Sequence, residues 1–150
     1  MADPQALLRD ARVVVLYDWP SEDVPDTLTR AGYDVIVFGG PNPDDVFRNE
    51  LRDGEVVAHR IGVPPTQADL VYSFRPVDEL PGIVNAAAEM GAKAVWRQTG
   101  RDDSGERDPR GCAASPDESA QALALVEQAG MIYIENSYIA DAVRSIRPHP

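Results

Sequence analysis

Residues 12–38, RVVVLYDWPSEDVPDTLTRAGYDVIVF, decide the fold. Arg12-Val-Val-Val-Leu-Tyr17 is a β-branched run of buried-strand length, and Asp18-Trp19-Pro20-Ser21 after it is a turn sequence. Ser21 followed by Glu22, Asp23 and Val24 predicts a helix start, with the serine hydroxyl placed to cap the first amides. Val24, Leu28 and Ala31 then share one helical face, and Gly32 closes the helix. Tyr33 to Phe38 reads as a second buried strand, ended by Gly39-Gly40-Pro41. Strand, helix and strand within 27 residues is the connection that a parallel crossover requires.

The same alternation continues outward. Pro43-Asp44-Asp45 is read as opening a short helix through Leu51 that Gly54 ends; Glu55 to Ile61 is a strand or a second helical piece, and Gly62 to Thr66 a turn. Ala68 to Phe74 is a third strand, stopped by Arg75-Pro76. Val77-Asp78-Glu79 begins a helix whose stripe is Leu80, Ile83, Val84, Ala87 and Gly91, with Pro81 tolerated in its first turn. Lys93 to Arg97 is a fourth strand, followed by a long polar loop, Gln98 to Ser115, of the kind that serves as a lid or a mobile segment. Ser115-Pro116-Asp117-Glu118 opens a helix with a stripe of Ala120, Leu123, Ala124 and Val126; Met131 to Ile134 is a fifth strand and Tyr138 to Ile146 a final helix. Five short apolar strands alternating with amphipathic helices predict an α/β fold. Its expected form is a doubly wound, mostly parallel five-stranded sheet in a three-layer α/β/α arrangement, Rossmann-like, with residues 1–150 forming one domain.

Composition agrees with one domain. A chain of 150 residues removes roughly 70% of its extended surface from water on folding, and 43% apolar with 26% charged residues is a globular balance. Fourteen basic against twenty-five acidic side chains leave a net charge of −11, which argues against nucleic acid or an anionic membrane as partner, both being polyanions. Cys112 is the single cysteine and has no internal disulfide partner. The apolar runs are too short to span a bilayer, and MADPQALLRD lacks the long apolar core of a signal peptide, so a cytoplasmic protein is expected.

Ligands of such sheets sit outside the carboxyl ends of the strands, where strand order reverses. A dinucleotide site places a glycine-rich turn after the first strand; here Tyr17-Asp18-Trp19-Pro20-Ser21-Glu22-Asp23 has no glycine and three carboxylates. A phosphoacceptor receiver domain needs an aspartate after the third strand and a lysine after the fifth, and neither is there. The third strand ends in Ser73-Phe74-Arg75-Pro76: a ring that can stack on a base, a guanidinium that can pair with phosphate, and a rigid turn. Without a ligand, the same residues read as a core phenylalanine and a solvated arginine. Trp96 reads as a packing residue, with Arg97 and Gln98 following it to the same edge. No serine, cysteine or histidine set forms a nucleophile pair, and Asp44-Asp45 and Asp102-Asp103 read as solvated surface rather than a metal site.

Ala68-Asp-Leu-Val-Tyr-Ser-Phe-Arg-Pro-Val-Asp-Glu-Leu-Pro-Gly-Ile-Val84, followed by Met90-Gly-Ala-Lys-Ala-Val-Trp-Arg-Gln-Thr-Gly100, resembles the stand-alone CoA-binding domain proteins, relatives of the CoA-binding domain of acyl-CoA synthetases. The aromatic-Arg-Pro turn, the early Leu-Pro of the helix and the Gly-Ala-Lys-Ala-Val-Trp run carry the resemblance, which extends from about Val13 to Arg144. It implies coenzyme A or a similar adenine nucleotide lying across the strand ends. By that resemblance Phe74, Arg75 and Pro76 would flank adenine and ribose, Gly39, Gly40 and Pro41 would line the other side, and the turn after the first strand would meet the pyrophosphate. The expected cofactor-binding set is Asp18, Trp19, Pro20, Ser21, Gly39, Gly40, Pro41, Ser73, Phe74, Arg75, Pro76, Arg97 and Gln98, with no catalytic and no metal residues. The chain departs from the family at the Gly-Ala-Ser turn, replaced by Tyr17-Asp18-Trp19-Pro20, and in the loop from Arg101 to Ala114. The second domain with its phosphorylated histidine, which the synthetases use for catalysis, is not in this sequence.

The leading expectation is therefore non-catalytic binding of coenzyme A or a related nucleotide. The alternative is a degenerate Rossmann-like interaction module that has lost its ligand, to which the acids at positions 18, 22, 23 and 26 point. A small enzyme using Asp18 as a base has only that residue's place at a strand end behind it. The expected partner is a small-molecule nucleotide, with self-association or a protein partner left open.

Overall fold

Alternation along the strands puts apolar side chains on both faces of the sheet, and helices cover both. The computed structural model describes residues 3–19, 21–38, 42, 44–98, 116–135 and 137–146. In chain order the elements are α1 (Pro4–Asp10), β1 (Val13–Tyr17), α2 (Asp23–Arg30), β2 (Asp34–Phe38), β3 (Val46–Arg52), β4 (Glu55–Arg60) and β5 (Leu70–Ser73). A 3-10 turn (Val77–Glu79) then leads into α3 (Leu80–Glu89), β6 (Ala94–Arg97), α4 (Pro116–Gln128), β7 (Ile132–Glu135) and α5 (Ile139–Ile146).

The fold is α/β, with a mostly parallel sheet of order β4-β3-β2-β1-β5-β6-β7. β1 pairs in parallel with β2 from Val13 opposite Asp34 to Tyr17 opposite Phe38, and with β5 on its other side. β5, β6 and β7 continue in parallel, so that Ser73, Arg97 and Glu135 are neighbours at one register level. Val14 and Leu16 of β1 pack with Leu8, Leu28 and Val143 under α1, α2 and α5. Val15 faces the other way, into a core with Ile83 and Ala87 of α3 and Val126 of α4. Each fully buried Val or Leu contributes about 1.5–3 kcal/mol. Strands apolar on both faces are therefore stable only between two helical layers.

The sheet has seven strands, not the five expected. The five are its parallel members; β3 and β4 form an antiparallel hairpin added at the β2 edge. The helix expected from Pro43 through Leu51 is β3 instead. Its cause is the two-residue turn Asp53-Gly54, with φ of 52° and 82°, which joins Arg52 directly opposite Glu55. Asp44 and Asp45 lie beside Arg60 at 3.3 and 3.2 Å.

Three local features also differ from the sequence reading. α1 was not anticipated: Asp3 accepts the Gln5 N–H at 3.0 Å, Pro4 starts the helix, and Leu8 is buried. Ser21 does not cap α2; Glu22 holds the cap position without a side-chain bond, and Ser21 Oγ lies 3.4 Å from the Tyr138 hydroxyl. α4 buries Ala122 and Val126 and leaves Leu123 exposed, so its inward stripe is rotated from the expected one. No described helix is long and apolar enough to cross a membrane.

Candidate functional site

The chain leaves β1 toward β2 on one side and returns to β5 on the other, so strand order reverses between β1 and β5. β1 ends in Tyr17, after which Asp18 takes a φ of 65°, a left-handed conformation that a glycine ordinarily supplies and aspartate tolerates. The Asp18 carboxylate accepts the Trp19 N–H at 2.9 Å. Its other oxygen lies 3.0 Å from Nη1 of Arg75, which follows β5. Arg75 also donates to Glu79, with Nη2 at 2.6 Å. These two acids hold the guanidinium above its usual pKa, Glu79 more than Asp18.

The other expected residues fall around this pair. Ser73 is fully buried, and its hydroxyl accepts the Arg75 N–H at 3.1 Å. The Phe74 N–H bonds the Tyr17 carbonyl at 3.0 Å, closing β5 against β1. The rings of Phe74 and Trp19 are half-buried against the core on the α1, α2 and α5 side, and Trp19 Nε1 lies 3.5 Å from Glu22. Pro76 is exposed and precedes the 3-10 turn. The Gln98 N–H bonds the Ser73 carbonyl at 3.0 Å, and both Gln98 and Arg97 are buried. The structure thus brings Asp18, Ser73, Phe74, Arg75, Arg97 and Gln98 to one edge. Pro20, Gly39, Gly40 and Pro41 lie outside the described residues, as do Asp102, Asp103 and Cys112.

The acids that follow β1 have internal partners. Asp23 receives Arg144 at 2.8 Å and the Tyr138 hydroxyl at 3.0 Å, tying α2 to α5. The Arg144 hydrogen bond is the main reason its carboxyl sits below the usual range, with burial opposing and Tyr138 adding.

Two features of the edge involve residues that were not singled out from sequence. Tyr17 and Phe38, opposite one another in register, stack with ring centroids 4.5 Å apart and planes 12° apart. They form one wall of an open cavity of about 410 Å³ that Pro64, Pro65, Ala86 and Met90 complete. That volume lies within the range of small-molecule sites, roughly 300–1,000 Å³. Burial raises the Tyr17 phenol pKa. The signal available was an aromatic residue at the last position of each of the first two strands.

The second feature stands at β6 and β7. Arg97 is 1% exposed, and among the described residues its Nε and Nη1 have no hydrogen-bond partner. Its guanidinium lies beside the Tyr133 hydroxyl. Tyr133 donates to Glu135 at 2.7 Å, and Ser119 of α4 donates to the other Glu135 oxygen. Burial chiefly, then the Glu135 bond and charge, push the Tyr133 phenol far above its ordinary pKa, against the pull of Arg97.

Two features suit an adenine nucleotide: a flat apolar wall of aromatic and proline side chains running from the ends of β1 and β2 along the sheet face toward α3, and a buried cation with unmet donors at the end of β6. The edge does not fit a phosphate at the turn after β1, where carboxylates stand. Among the described residues, no group of three or more His, Cys, Asp and Glu comes together to hold a metal.

Comparison with known proteins agrees with this architecture. A Pyrococcus horikoshii hypothetical protein superposes with a TM-score of 0.61 at 19% identity, covering 96% of this chain and 89% of that one. A Thermus thermophilus protein, cell-free ID.343, superposes at 0.59 and 18% identity over 97% of this chain and 99% of its own. Prb, a PH1109 protein redesigned for binding, superposes at 0.62 and 18% identity over 96% and 89%. At these identities the likeness is one of fold. A search of curated protein sequences finds no match. The sequence profile of the CoA binding domain family matches residues 17–141, running from the end of β1 into α5 and so across every strand end described above. The chain therefore belongs to the CoA-binding domain family.

Proposed function

We propose that this domain binds coenzyme A, or a related adenine nucleotide, at the carboxyl ends of its parallel strands and does no chemistry on it. The observation that carries the reading is the family match over residues 17–141. The strand order supports taking the sheet as doubly wound and Rossmann-like, with the ligand at the reversal between β1 and β5. The stacked Tyr17 and Phe38 and the cavity beside them offer a flat ring an apolar wall, and stacking against aromatic faces is favourable for any base. A cytoplasmic location belongs to the same proposal.

Isothermal titration with coenzyme A, dephospho-coenzyme A, NAD and ATP tests it. Coenzyme A is expected to bind more tightly than the others, with a Kd below about 1 mM. Absence of heat with all four contradicts the reading. One observation favours the interaction-module alternative: Arg75, the cation at the reversal point, is engaged by Asp18 and Glu79. Light scattering that shows a stable oligomer or complex, together with no ligand heat, is the result that alternative predicts.

A further inference from the structure

We infer that Arg97 receives a phosphate oxyanion of the bound nucleotide, at the ends of β6 and β7 rather than at the turn after β1; the inference rests on the nucleotide-binding reading above. Arg97 is the last residue of β6 and is 1% exposed, and its Nε and Nη1 have no hydrogen-bond partner among the described residues. Among the described residues no ion pair includes it. A buried guanidinium with unmet donors is costly, and a fold retains one where a ligand completes it.

The neighbours hold that guanidinium in place without neutralising it by contact. The Tyr133 hydroxyl, beside Arg97, donates its proton to Glu135. Ser119 donates to the remaining Glu135 oxygen, so both carboxylate oxygens are engaged away from Arg97. Arg97 and Glu135 are register neighbours, and Ser119 brings the first turns of α4 over the same strand ends. The groups that Arg97 leaves unmet are donors, and phosphate oxygens are acceptors.

Among the described residues, the alternatives at this edge are less suited to an anion. Arg75 is held by Asp18 and Glu79. The start of α2 carries Glu22, Asp23 and Asp26, and Glu22 at its cap makes no side-chain bond to the backbone. Lys93 stands at the opposite, amino end of the sheet, next to Asp69. Among the described residues Arg97 is the cation at the carboxyl edge with unmet donors, and a polyanion approaching that edge finds counter-charge there.

The test uses the whole chain and two probes. Inorganic pyrophosphate is titrated while the Arg97 Nε–H NMR signal is followed, that signal being identified by its loss in Arg97→Lys. Saturable movement of the signal supports the proposal; an unmoved signal overturns it, whether or not coenzyme A binds. Coenzyme A is then titrated into wild type and Arg97→Met. The variant is expected to weaken binding by roughly tenfold or more while the ligand-free protein melts at a higher temperature, since an unpaired buried charge has been removed. Affinity within about twofold of wild type overturns the proposal. Wild type that gives no heat with coenzyme A but moves the Arg97 signal with pyrophosphate contradicts the nucleotide reading and upholds the oxyanion site.

Discussion

The Arg75 guanidinium lies 3.0 Å from the Asp18 carboxylate, so the residue after β5 is tied to the residue after β1 across the point where strand order reverses. This ion pair stands where a ligand of an open parallel sheet enters. It converts the cation that the sequence offers to a phosphate into part of the rim. Glu79, one helical turn further on, adds a second carboxylate to the same guanidinium.

Asp18→Asn therefore changes binding more than folding. Both partners are more than 40% exposed, so solvent screens the pair and its loss costs under about 1 kcal/mol of stability. Removal of one negative charge beside the entrance, with partial release of Arg75, is expected to tighten coenzyme A binding roughly fivefold at low salt and less at high salt. Titration calorimetry at two ionic strengths measures this. Weaker binding in the variant would instead place Asp18 in contact with the ligand.

Acid is expected to loosen the fold through Asp69 and Asp23. Asp69 accepts the backbone N–H groups of Arg12 and Val13, each at 2.9 Å, and clasps β5 to β1. The Val13 bond chiefly lowers its pKa; for Asp23 the Arg144 bond does so. A carboxylate whose folded pKa is depressed stabilises the fold fully above its unfolded value of about 3.9 and loses that contribution as pH falls through the folded value. Urea midpoints should hold near neutrality and fall below about pH 4, by under about 1 kcal/mol for each of these partly exposed groups. Asp69→Asn should flatten that fall.

Gly54→Ala probes the hairpin. Gly54 has a φ of 82°, and an added Cβ meets nothing within 4 Å, so the penalty is purely conformational. A loss of about 1 kcal/mol is expected from denaturant midpoints. No loss would mean that the turn relaxes to another form.

Trp96→Phe probes the core under the site. Trp96 is fully buried and its Nε1 donates to the Ser137 carbonyl at 2.9 Å, fixing β6 against the segment that leads into α5. Loss of that bond and of ring volume should cost about 2–4 kcal/mol. The blue-shifted part of the tryptophan fluorescence should vanish, leaving the half-buried Trp19.

The parallel strands were legible in the sequence because each is a short, mostly apolar run bounded by turn residues, as Val13 to Tyr17 and Ala94 to Arg97 show. The hairpin was not, since β3 and β4 carry polar residues at most positions and Gly54 serves equally as a helix end. Asp53-Gly54 was nevertheless the stronger signal, because both residues must take positive φ only in a two-residue hairpin turn. At the site, Arg75 and Arg97 were legible as strand-end cations. Which of them has a carboxylate partner depends on Asp18 and Glu135, each brought in from another strand. The Tyr17–Phe38 stack needed the β1–β2 register, which no local pattern reveals.

The most direct test of the account is a titration of coenzyme A into ¹⁵N-labelled protein, followed by amide NMR. Saturable shifts are expected at Tyr17 to Trp19, Ser73 to Arg75 and Arg97 to Gln98, with Asp69 and Lys93 at the amino edge unmoved. Saturation without shifts at the carboxyl edge, or shifts confined to the hairpin or the amino edge, would contradict it.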